Sequence, residues 1–374
     1  MGYDLAMKQV LVAVLAIISI RRHLVAAASD AVQPSSNASK QVPAMYVFGD
    51  STLDVGNNNY LAGVDVPRAN TPLHGIDYPG SKPTGRFSNG YNIADSIAKK
   101  LGLKESPPAY LSLAQGTTPL VVTALAEGVS YASAGAGILD STHAGDNIPL
   151  SKQVMYFEST KAKMQAKVGS AAVRILLSRS FFLISVGSND LFVFAGAPTD
   201  VVALYSSLIS GYNTTITSLY NMGARKFGIL NVGLLGCVPT VRVLNSTGAC
   251  NDGLNLLAAG FDDALKSLLA SLAAKLPGLV YSLADFYSHT EVTFANPQAS
   301  GYVNIDSACC GSGRLGAESD CLPNSALCGD HDKFVFWDRV HPSQRAGELS
   351  AAAFYDGPAE FTAPINFKQL ARKI

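Results

Sequence analysis

A serine follows a short apolar run in the sequence YVFGDSTLDVGNNNY (46–60). The run ends at Gly49, so Ser51 is expected where a buried parallel strand reaches the carboxyl edge of its sheet, the edge at which open α/β sheets bind ligands. A hydroxyl at that edge becomes a nucleophile when a base lies within hydrogen-bonding distance. The alternative role is structural, because Asp50 or Ser51 can also cap a following helix.

The base is expected in the segment FWDRVHPS (336–343), where Asp338 precedes His341 by three residues. This spacing places both side chains on one face of a turn or short helix. The carboxylate can then hold the Nδ1–H of the imidazole and leave Nε2 to accept a proton from Ser51. A surface Asp–His pair without a catalytic role has the same spacing. His23 lies in the N-terminal segment, and no comparable carboxylate spacing accompanies the remaining histidines, which are His74, His143, His289 and His331.

Two further segments end candidate strands with residues that suit an oxyanion site. Asn189 lies in SVGSND (185–190), and Gly135 and Gly137 lie in YASAGAGI (131–138). A glycine allows the backbone to approach a ligand closely, and an amide side chain donates hydrogen bonds to a developing oxyanion. Each segment on its own is also typical of an ordinary strand-to-loop turn.

Apolar runs and amphipathic stretches alternate along the chain. Strands are predicted at 44–48, 128–132, 180–186, 226–232 and 279–284, and helices at 92–101, 152–167, 201–221, 254–276 and about 343–355. Strands that alternate with helices indicate βαβ units and a parallel sheet covered on both faces. We therefore expect one domain over 43–365, followed by a C-terminal tail over 366–374. The segment 60–90 is predicted to be a long ordered loop that borders the site.

The composition excludes some classes of partner. The chain has 374 residues, a formal net charge of zero and 15% charged residues, without a basic run or an acidic tail. Nucleic acid is therefore not an expected partner.

The N-terminus has the pattern of a targeting segment. The apolar run QVLVAVLAIISI (9–20) precedes LVAAAS (24–29), which offers a small-residue cleavage site. Residues 1–28 are predicted to be a signal peptide or an uncleaved signal anchor, and 29–42 a linker. An anchor would attach the protein to a membrane, and either form directs the chain to the secretory pathway. Sequons for N-glycosylation occur at Asn37, Asn213 and Asn245.

The six cysteines agree with an oxidising compartment. Cys237 and Cys250 flank the Asn245 sequon and are expected to close a short loop. The others form a C-terminal group for which three pairings exist, made up of Cys309, Cys310, Cys321 and Cys328. Zinc binding is the alternative to disulfides, although a repeated C-x-x-C is missing.

Taken together, these motifs resemble those of plant-type GDSL esterases/lipases of the SGNH hydrolase superfamily, over 43–365. The matching blocks are FGDSTLDVGNNNY, GVSYASAGAGI, VGSND and FWDRVHPS, with GARKFGILNVGLLGCVP (223–239) and ACCGSG (308–313). Each block is common, but their order and spacing are specific. The resemblance implies the SGNH hydrolase fold, which is an α/β fold with three α/β/α layers and a parallel, flavodoxin-like sheet of about five strands.

The resemblance also implies roles for particular residues. Ser51 corresponds to the nucleophile, and Asp338 and His341 complete the triad. The oxyanion donors would be the backbone amides of Ser51 and Gly135 and the side chain of Asn189. No metal and no organic cofactor is implied.

Three positions need separate comment. Thr52 stands where these proteins have the leucine of GDSL, and Ser130 stands where an asparagine is frequent, so local packing and one supporting hydrogen bond are expected to differ. The run Asn57–Asn59 occurs in the family and is interpreted as turn and capping chemistry.

The predicted function is carboxylic ester hydrolysis with an ester substrate as partner. Within that activity the sequence favours deacetylation of a cell-wall polysaccharide such as acetylated xylan, partly because the 60–90 loop carries aromatic and polar residues that suit sugars. One alternative is a lipase or acyl-ester hydrolase that acts on lipids. Another is a catalytically silent glycan-binding protein on the same scaffold. The expected location is the cell wall or extracellular space, or the Golgi if the N-terminal segment stays uncleaved.

Overall fold

A computed structural model describes residues 40–114, 117–195 and 200–373 of the chain. The predicted signal segment and most of the predicted linker lie outside these residues. The strands of the described part are Met45–Gly49 (β1), Gly128–Ser130 (β2), Phe181–Ser185 (β3), Lys226–Leu230 (β4), Val280–Ala284 (β5), Asn304–Ala308 (β6), Cys310–Gly311 (β7), Ala326–Leu327 (β8), Phe334–Phe336 (β9) and Thr362–Ala363 (β10).

The central sheet has the strand order β10-β5-β4-β3-β1-β2. The first five strands run parallel, and β10 pairs antiparallel with β5 at one edge. The parallel strands therefore have the order 2-1-3-4-5, which is the flavodoxin-like arrangement. This confirms the predicted sheet of about five parallel strands. The sixth strand was not predicted because two residues carry no periodic pattern.

Helices connect the strands and cover the sheet. They are Ile93–Lys100 (α1), Tyr110–Leu113 (α2), Thr117–Ala126 (α3), Leu150–Val168 (α4), Ser170–Arg179 (α5), Ser188–Ala195 (α6), Val201–Met222 (α7), Pro239–Arg242 (α8), Asp252–Lys275 (α9), Phe286–Ala295 (α10), Gln344–Asp356 (α11) and Phe367–Arg372 (α12). The five predicted helices correspond to α1, α4, α7, α9 and α11. None of the helices within the described ranges has the length and apolar character needed to cross a membrane.

Alternate residues of the strands build two separate cores. Tyr46 and Phe48 of β1 point to one side, where Phe157 from α4 and Phe182 from β3 pack against Tyr46 with ring centroids 5.2 Å apart. Met45 and Val47 belong to the other core, which α1, α11 and α12 cover. Because both faces of the parallel sheet are buried, its strands are apolar throughout. The two cores make the three predicted α/β/α layers.

The C-terminal residues do not form a free tail, contrary to the prediction for 366–374. Asn366 caps α12 through a capping box with Gln369. Phe367 and Leu370 are fully buried against the sheet. The domain therefore extends at least to the end of α12. The prediction failed because a helix of six residues is too short to show a clear apolar period.

Three disulfides use all six cysteines: Cys237–Cys250, Cys309–Cys328 and Cys310–Cys321. The first is the predicted short loop, and the other two select one of the three pairings that the sequence left open. Zinc coordination is excluded for these sulfurs because none is a free thiolate. Around the second and third disulfides lies a small apolar group, here called the cysteine cluster, which contains Cys309, Cys310, Cys321 and Trp337 with Leu73 and Ile76 packed against it.

A sharp turn ends β1 immediately before the predicted nucleophile. Gly49 has φ +143°, and a side chain there would overlap the carbonyl oxygen of Ser185 in β3. Gln153 from α4 clamps this turn, since its Oε1 accepts from Gly49 N–H and its Nε2 donates to Gly49 O, both at 2.8 Å. Only glycine satisfies both the dihedral angle and the contact.

We expect Gly49→Ala to lower the free energy of unfolding by about 3 kcal/mol or more, because a methyl group forces β1 and β3 apart. Gly145→Ala is a matched control: Gly145 also has positive φ (+99°) but has no neighbour in the space of the added atom. It should lose only about 1–2 kcal/mol from backbone strain. Urea denaturation measures both variants, and equal losses would contradict the steric argument.

Candidate active site

The three residues of the predicted triad converge at the carboxyl edge of the sheet. Ser51 follows β1, and Asp338 and His341 lie in the turn that follows β9. His341 Nδ1 lies 2.8 Å from Asp338 Oδ2, and the backbone N–H groups of Val340 and His341 both donate to Asp338 Oδ1 at 2.8 Å. The local D-x-x-H spacing thus produces the contact expected from the sequence.

Ser51 and His341 line the same cavity. No hydrogen bond links Ser51 Oγ with His341 in the described chain. Such contacts are often long in free enzymes and tighten when a substrate binds. The arrangement leaves His341 Nε2 on the side of the ring away from Asp338.

The electrostatics of Asp338 differ from those of an ordinary buried carboxyl. Asp338 is only 6% exposed, and burial by itself would raise its pKa. The charge and hydrogen bond of His341, with a smaller contribution from His74, instead hold the pKa of Asp338 well below its usual range. The carboxylate is therefore ionised at neutral pH, and it can stabilise a positive charge on His341.

The predicted oxyanion donors lie beside Ser51. The backbone N–H groups of Ser51 and Gly135 donate to no other described residue. Asn189 uses one amide hydrogen for the carbonyl of Ala136 at 3.0 Å, which fixes its plane and leaves the second hydrogen for a ligand. Gly135, Asn189 and Ser51 line one open cleft. Their positions suit the stabilisation of negative charge on a carbonyl oxygen.

The side chains of the asparagine run do more than the predicted turn and capping, because two of them bond to a distant segment. Asn57–Tyr60 forms a 3₁₀ turn, but Asn57 Nδ2 donates to the carbonyls of Ser130 and Ala132 at 2.9 and 2.8 Å. Asn58 Nδ2 donates to the carbonyl of Ala134 at 2.9 Å. These side chains therefore connect the serine turn to the segment that carries Gly135.

The two residues that depart from the family pattern, Ser130 and Thr52, make hydrogen bonds beside the serine turn through their backbone. Ser130 accepts the hydrogen bond of Asn57 through its carbonyl, while its own hydroxyl is buried without a partner. Thr52 donates its backbone N–H to Asp50 Oδ1 at 2.9 Å. Burial raises the pKa of Asp50 to about 6, and the hydrogen bonds from Thr52 oppose that rise.

Two histidines make carboxylate contacts that sequence spacing did not reveal. His74 Nε2 lies 3.6 Å from Asp338 Oδ2, and His331 Nδ1 lies 2.6 Å from Asp77 Oδ2. The sequence comparison of the histidines considered only carboxylates at the spacing of Asp338 and His341, and the partners of His74 and His331 are distant in the sequence. Gln153 was also missed, and no local motif distinguishes it from other glutamines of an amphipathic helix.

The 60–90 loop borders the site, as predicted, but through few of its aromatic residues. His74 and Phe87 line the cleft, and Phe87 packs on His341 with ring centroids 4.7 Å apart. Tyr78 instead stacks beneath Arg86, which pairs with Asp95 at 2.7 Å. Tyr78 therefore anchors the loop itself.

Two adjoining spaces meet at Ser51 and His341. One is an open cleft of about 620 Å³ with charged groups at its rim, which are Asp65, Arg68, Asp146, Asp320 and Arg339. The other is a narrower cavity of about 110 Å³ that reaches between α6, α10 and α11. Its wall is mainly apolar and includes Phe192, Val238, Phe286, Phe294, Phe336 and Leu349.

Comparison with known proteins agrees with this geometry. Residues 45–354 match the GDSL-like Lipase/Acylhydrolase family. The chain belongs to the GDSL lipase/acylhydrolase family. It is 38% identical over 344 residues to the GDSL esterase/lipase At5g55050 of Arabidopsis thaliana, covering 88% of this chain and 90% of that protein. It is 36% identical over 337 residues to the GDSL esterase/lipase LTL1 of the same organism, covering 86% and 89%.

Family membership makes this GDSL protein a member of a carboxylic ester hydrolase family. The first three sequence blocks follow β1, β2 and β3, which are neighbours in the sheet, so the blocks lie together at one edge. The resemblance inferred from the sequence and the implied SGNH hydrolase fold are thereby confirmed.

We expect Asn57→Ala to lower kcat by about 10- to 100-fold, because the segment with Gly135 loses its tether and a small displacement at a reacting centre is costly. Asn59→Ala is the control in the same turn, since Asn59 Nδ2 donates only to the carbonyl of Thr84. It should keep kcat within about threefold and lose about 1 kcal/mol of stability. Similar kcat losses in both variants would show that the whole turn, rather than the tether, matters.

Proposed function

We propose that this protein is a serine esterase whose triad is Ser51, His341 and Asp338. The contact between His341 Nδ1 and Asp338 at 2.8 Å carries the proposal, because it fixes the ring so that Nε2 can act as a base. The amides of Ser51 and Gly135 and the side chain of Asn189 are proposed as the oxyanion donors. The mechanism needs only these protein groups.

The reaction proceeds in two halves. Ser51 Oγ attacks the ester carbonyl while His341 Nε2 takes its proton, and the oxyanion donors stabilise the tetrahedral intermediate. His341 then protonates the leaving alcohol, and the acyl group stays on Ser51. Water attacks this acyl-enzyme with His341 again as the base, which releases the acid and restores the hydroxyl.

For the substrate we propose an ester whose acyl chain enters the apolar cavity and whose alcohol part lies in the polar cleft. The apolar wall supports this assignment, because a hydrocarbon chain gains about 0.8 kcal/mol for each buried methylene. Deacetylation of acetylated xylan stays a prediction, but the cavity favours the alternative of a longer acyl ester. The anchoring role of Tyr78 and Arg86 also removes one argument for sugar binding.

The proposed location is the secretory pathway, with the cell wall, the extracellular space or the Golgi as its end point. Three disulfides support an oxidising compartment. Asn213 and Asn245 are exposed and are proposed glycosylation sites. Asn37 and the proposed signal or anchor segment lie outside the described residues.

Ser51→Ala should abolish labelling by a fluorophosphonate and lower kcat about a millionfold, because the nucleophile is lost while little packing changes.

Asn189→Ala should lower kcat by about a hundred- to a thousandfold with little change in KM, because one oxyanion donor is lost. Asp338→Asn should lower kcat by about 10⁴. Assays on p-nitrophenyl esters measure all three. Wild-type protein that neither reacts with the fluorophosphonate nor hydrolyses esters would favour the glycan-binding alternative.

We expect kcat/KM to rise about fourfold per methylene from acetyl to butyryl p-nitrophenyl esters, in line with burial in the apolar cavity. Thr293→Phe should lower octanoyl turnover at least tenfold and leave acetyl turnover unchanged, since Thr293 lines that cavity. Val292→Phe on the same helix is the control, because Val292 is 54% exposed. A preference for acetyl in the wild type, with acetate released from acetylated xylan, would instead support the deacetylase prediction.

A further inference from the structure

The two oxygens of Asp338 have unequal surroundings. Oδ1 accepts both backbone N–H groups of its own turn, from Val340 and His341. His341 Nδ1 lies between the two oxygens, 2.9 Å from Oδ1 and 2.8 Å from Oδ2, and His74 Nε2 lies 3.6 Å from Oδ2. No other carboxylate of the described chain lies within 4 Å of a His74 nitrogen. The orientation of the carboxylate therefore depends on His341, three residues away, and on His74 from a distant part of the sequence.

The ring orientation of His74 shows which of its nitrogens can donate. The residue is 6% exposed, and its Nδ1 is buried without a hydrogen-bond partner. A proton on Nδ1 would bury an N–H group that has no acceptor, which costs free energy. A proton on Nε2 avoids that cost and directs the N–H group at Asp338. A shift of roughly half an ångström would bring this contact into hydrogen-bonding range.

The backbone on either side of His74 is specialised to hold it in place. Leu73 has φ +84°, a conformation that is strained for a leucine and persists only where the surroundings enforce it. Gly75 also has positive φ and donates its N–H to the carbonyl of Ser88 at 2.9 Å. Leu73 packs into the cysteine cluster, which also contains Trp337, the residue before Asp338. The cluster thus fixes both partners of the contact.

We propose that His74 is a positioning residue for the triad. It orients Asp338 through Oδ2 and reduces the negative charge that Asp338 presents to His341. This proposal rests on the triad of the proposed function. Phe87 lies against both imidazoles, with ring centroids 6.1 Å from His74 and 4.7 Å from His341. The other charged or titratable groups around the triad are Asp65, Arg68, His143, Asp146, Asp320 and Arg339 in the cleft, with Asp50 and His289 in the adjoining cavity.

The sign of the effect on catalysis follows from the charge on Asp338. A donor at Oδ2 reduces the negative charge that stabilises protonated His341. In His74→Leu that donor is absent, so the acidic limb of kcat/KM against pH should move to higher pH by about 0.3–1 unit. The less restrained carboxylate should also lower kcat by about 3- to 30-fold with little change in KM.

The test compares His74→Leu, His74→Gln and His331→Gln on p-nitrophenyl butyrate across pH 4.5 to 9. His74→Gln keeps an N–H donor without a titrating ring, so we expect it to restore kcat to within about threefold and to return the acidic limb to the wild-type position. His331→Gln is the matched control, because His331 pairs with Asp77 outside the cleft. Its profile should equal that of the wild type.

Fluorophosphonate labelling and thermal unfolding of each variant separate the outcomes. An acidic limb at the wild-type pH in a folded, labelled His74→Leu protein would overturn the proposal for His74 and leave the esterase intact. If His74→Leu does not fold, a His74→Gln profile that differs from the wild type by more than 0.3 unit would overturn it equally. A wild-type protein without labelling or ester hydrolysis would overturn the triad, and the role of His74 with it.

Discussion

The site depends on the parallel pairing of β1 with both of its neighbours. Gly49 at the end of β1 lies opposite Ser185 at the end of β3, and Val47 lies opposite Ser130 at the end of β2. Because the three strands run parallel, the segments that follow them emerge at one edge. The nucleophile turn, the Gly135 segment and Asn189 therefore meet without any special loop. A slip of this register by one residue would reverse every side chain of β1 between the two cores.

Buried carboxylates around this edge show how positioning is balanced against stability. Burial raises the pKa of Asp50 and of Asp54 to about 6, although several hydrogen bonds to each carboxyl oppose the rise. The folded state then binds more protons than the unfolded state between about pH 4 and 6, so these two groups make the protein less stable as pH rises through that interval. Asp338 has the opposite shift, and its contribution to stability is present at neutral pH and is lost in strong acid.

Outside the sheet, covalent links replace regular structure. Residues 304–343 contain only short strands and two 3₁₀ turns, yet they supply two members of the site. Two disulfides and the fully buried Trp337 give this segment a small core of its own. The cluster joins the 60–90 loop to the turn with Asp338, so two irregular segments form one wall of the cleft. Disulfides commonly compensate in this way where a hydrophobic core is too small.

The sequence by itself determined the features that depend on nearby residues. The five parallel strands follow from short continuous apolar runs, and the long helices follow from the period of their apolar residues. The contact of Asp338 with His341 follows from a spacing of three, and the Cys237–Cys250 loop from two cysteines separated by thirteen positions. The blocks with Ser51, Gly135 and Asn189 could be selected because each directly follows a recognisable strand.

Only the tertiary structure decided the contacts between distant segments. His74 reaches Asp338 across 264 positions, and Asn57 reaches the Ser130 carbonyl across 73. The pairing of the last four cysteines, the burial of Phe367 and the apolar cavity beside Ser51 likewise depend on how layers pack. Spacing along one element fixes which side chains share its face. Which faces meet is set by the packing of the whole domain, because burial and hydrogen-bond satisfaction are properties of the assembled layers.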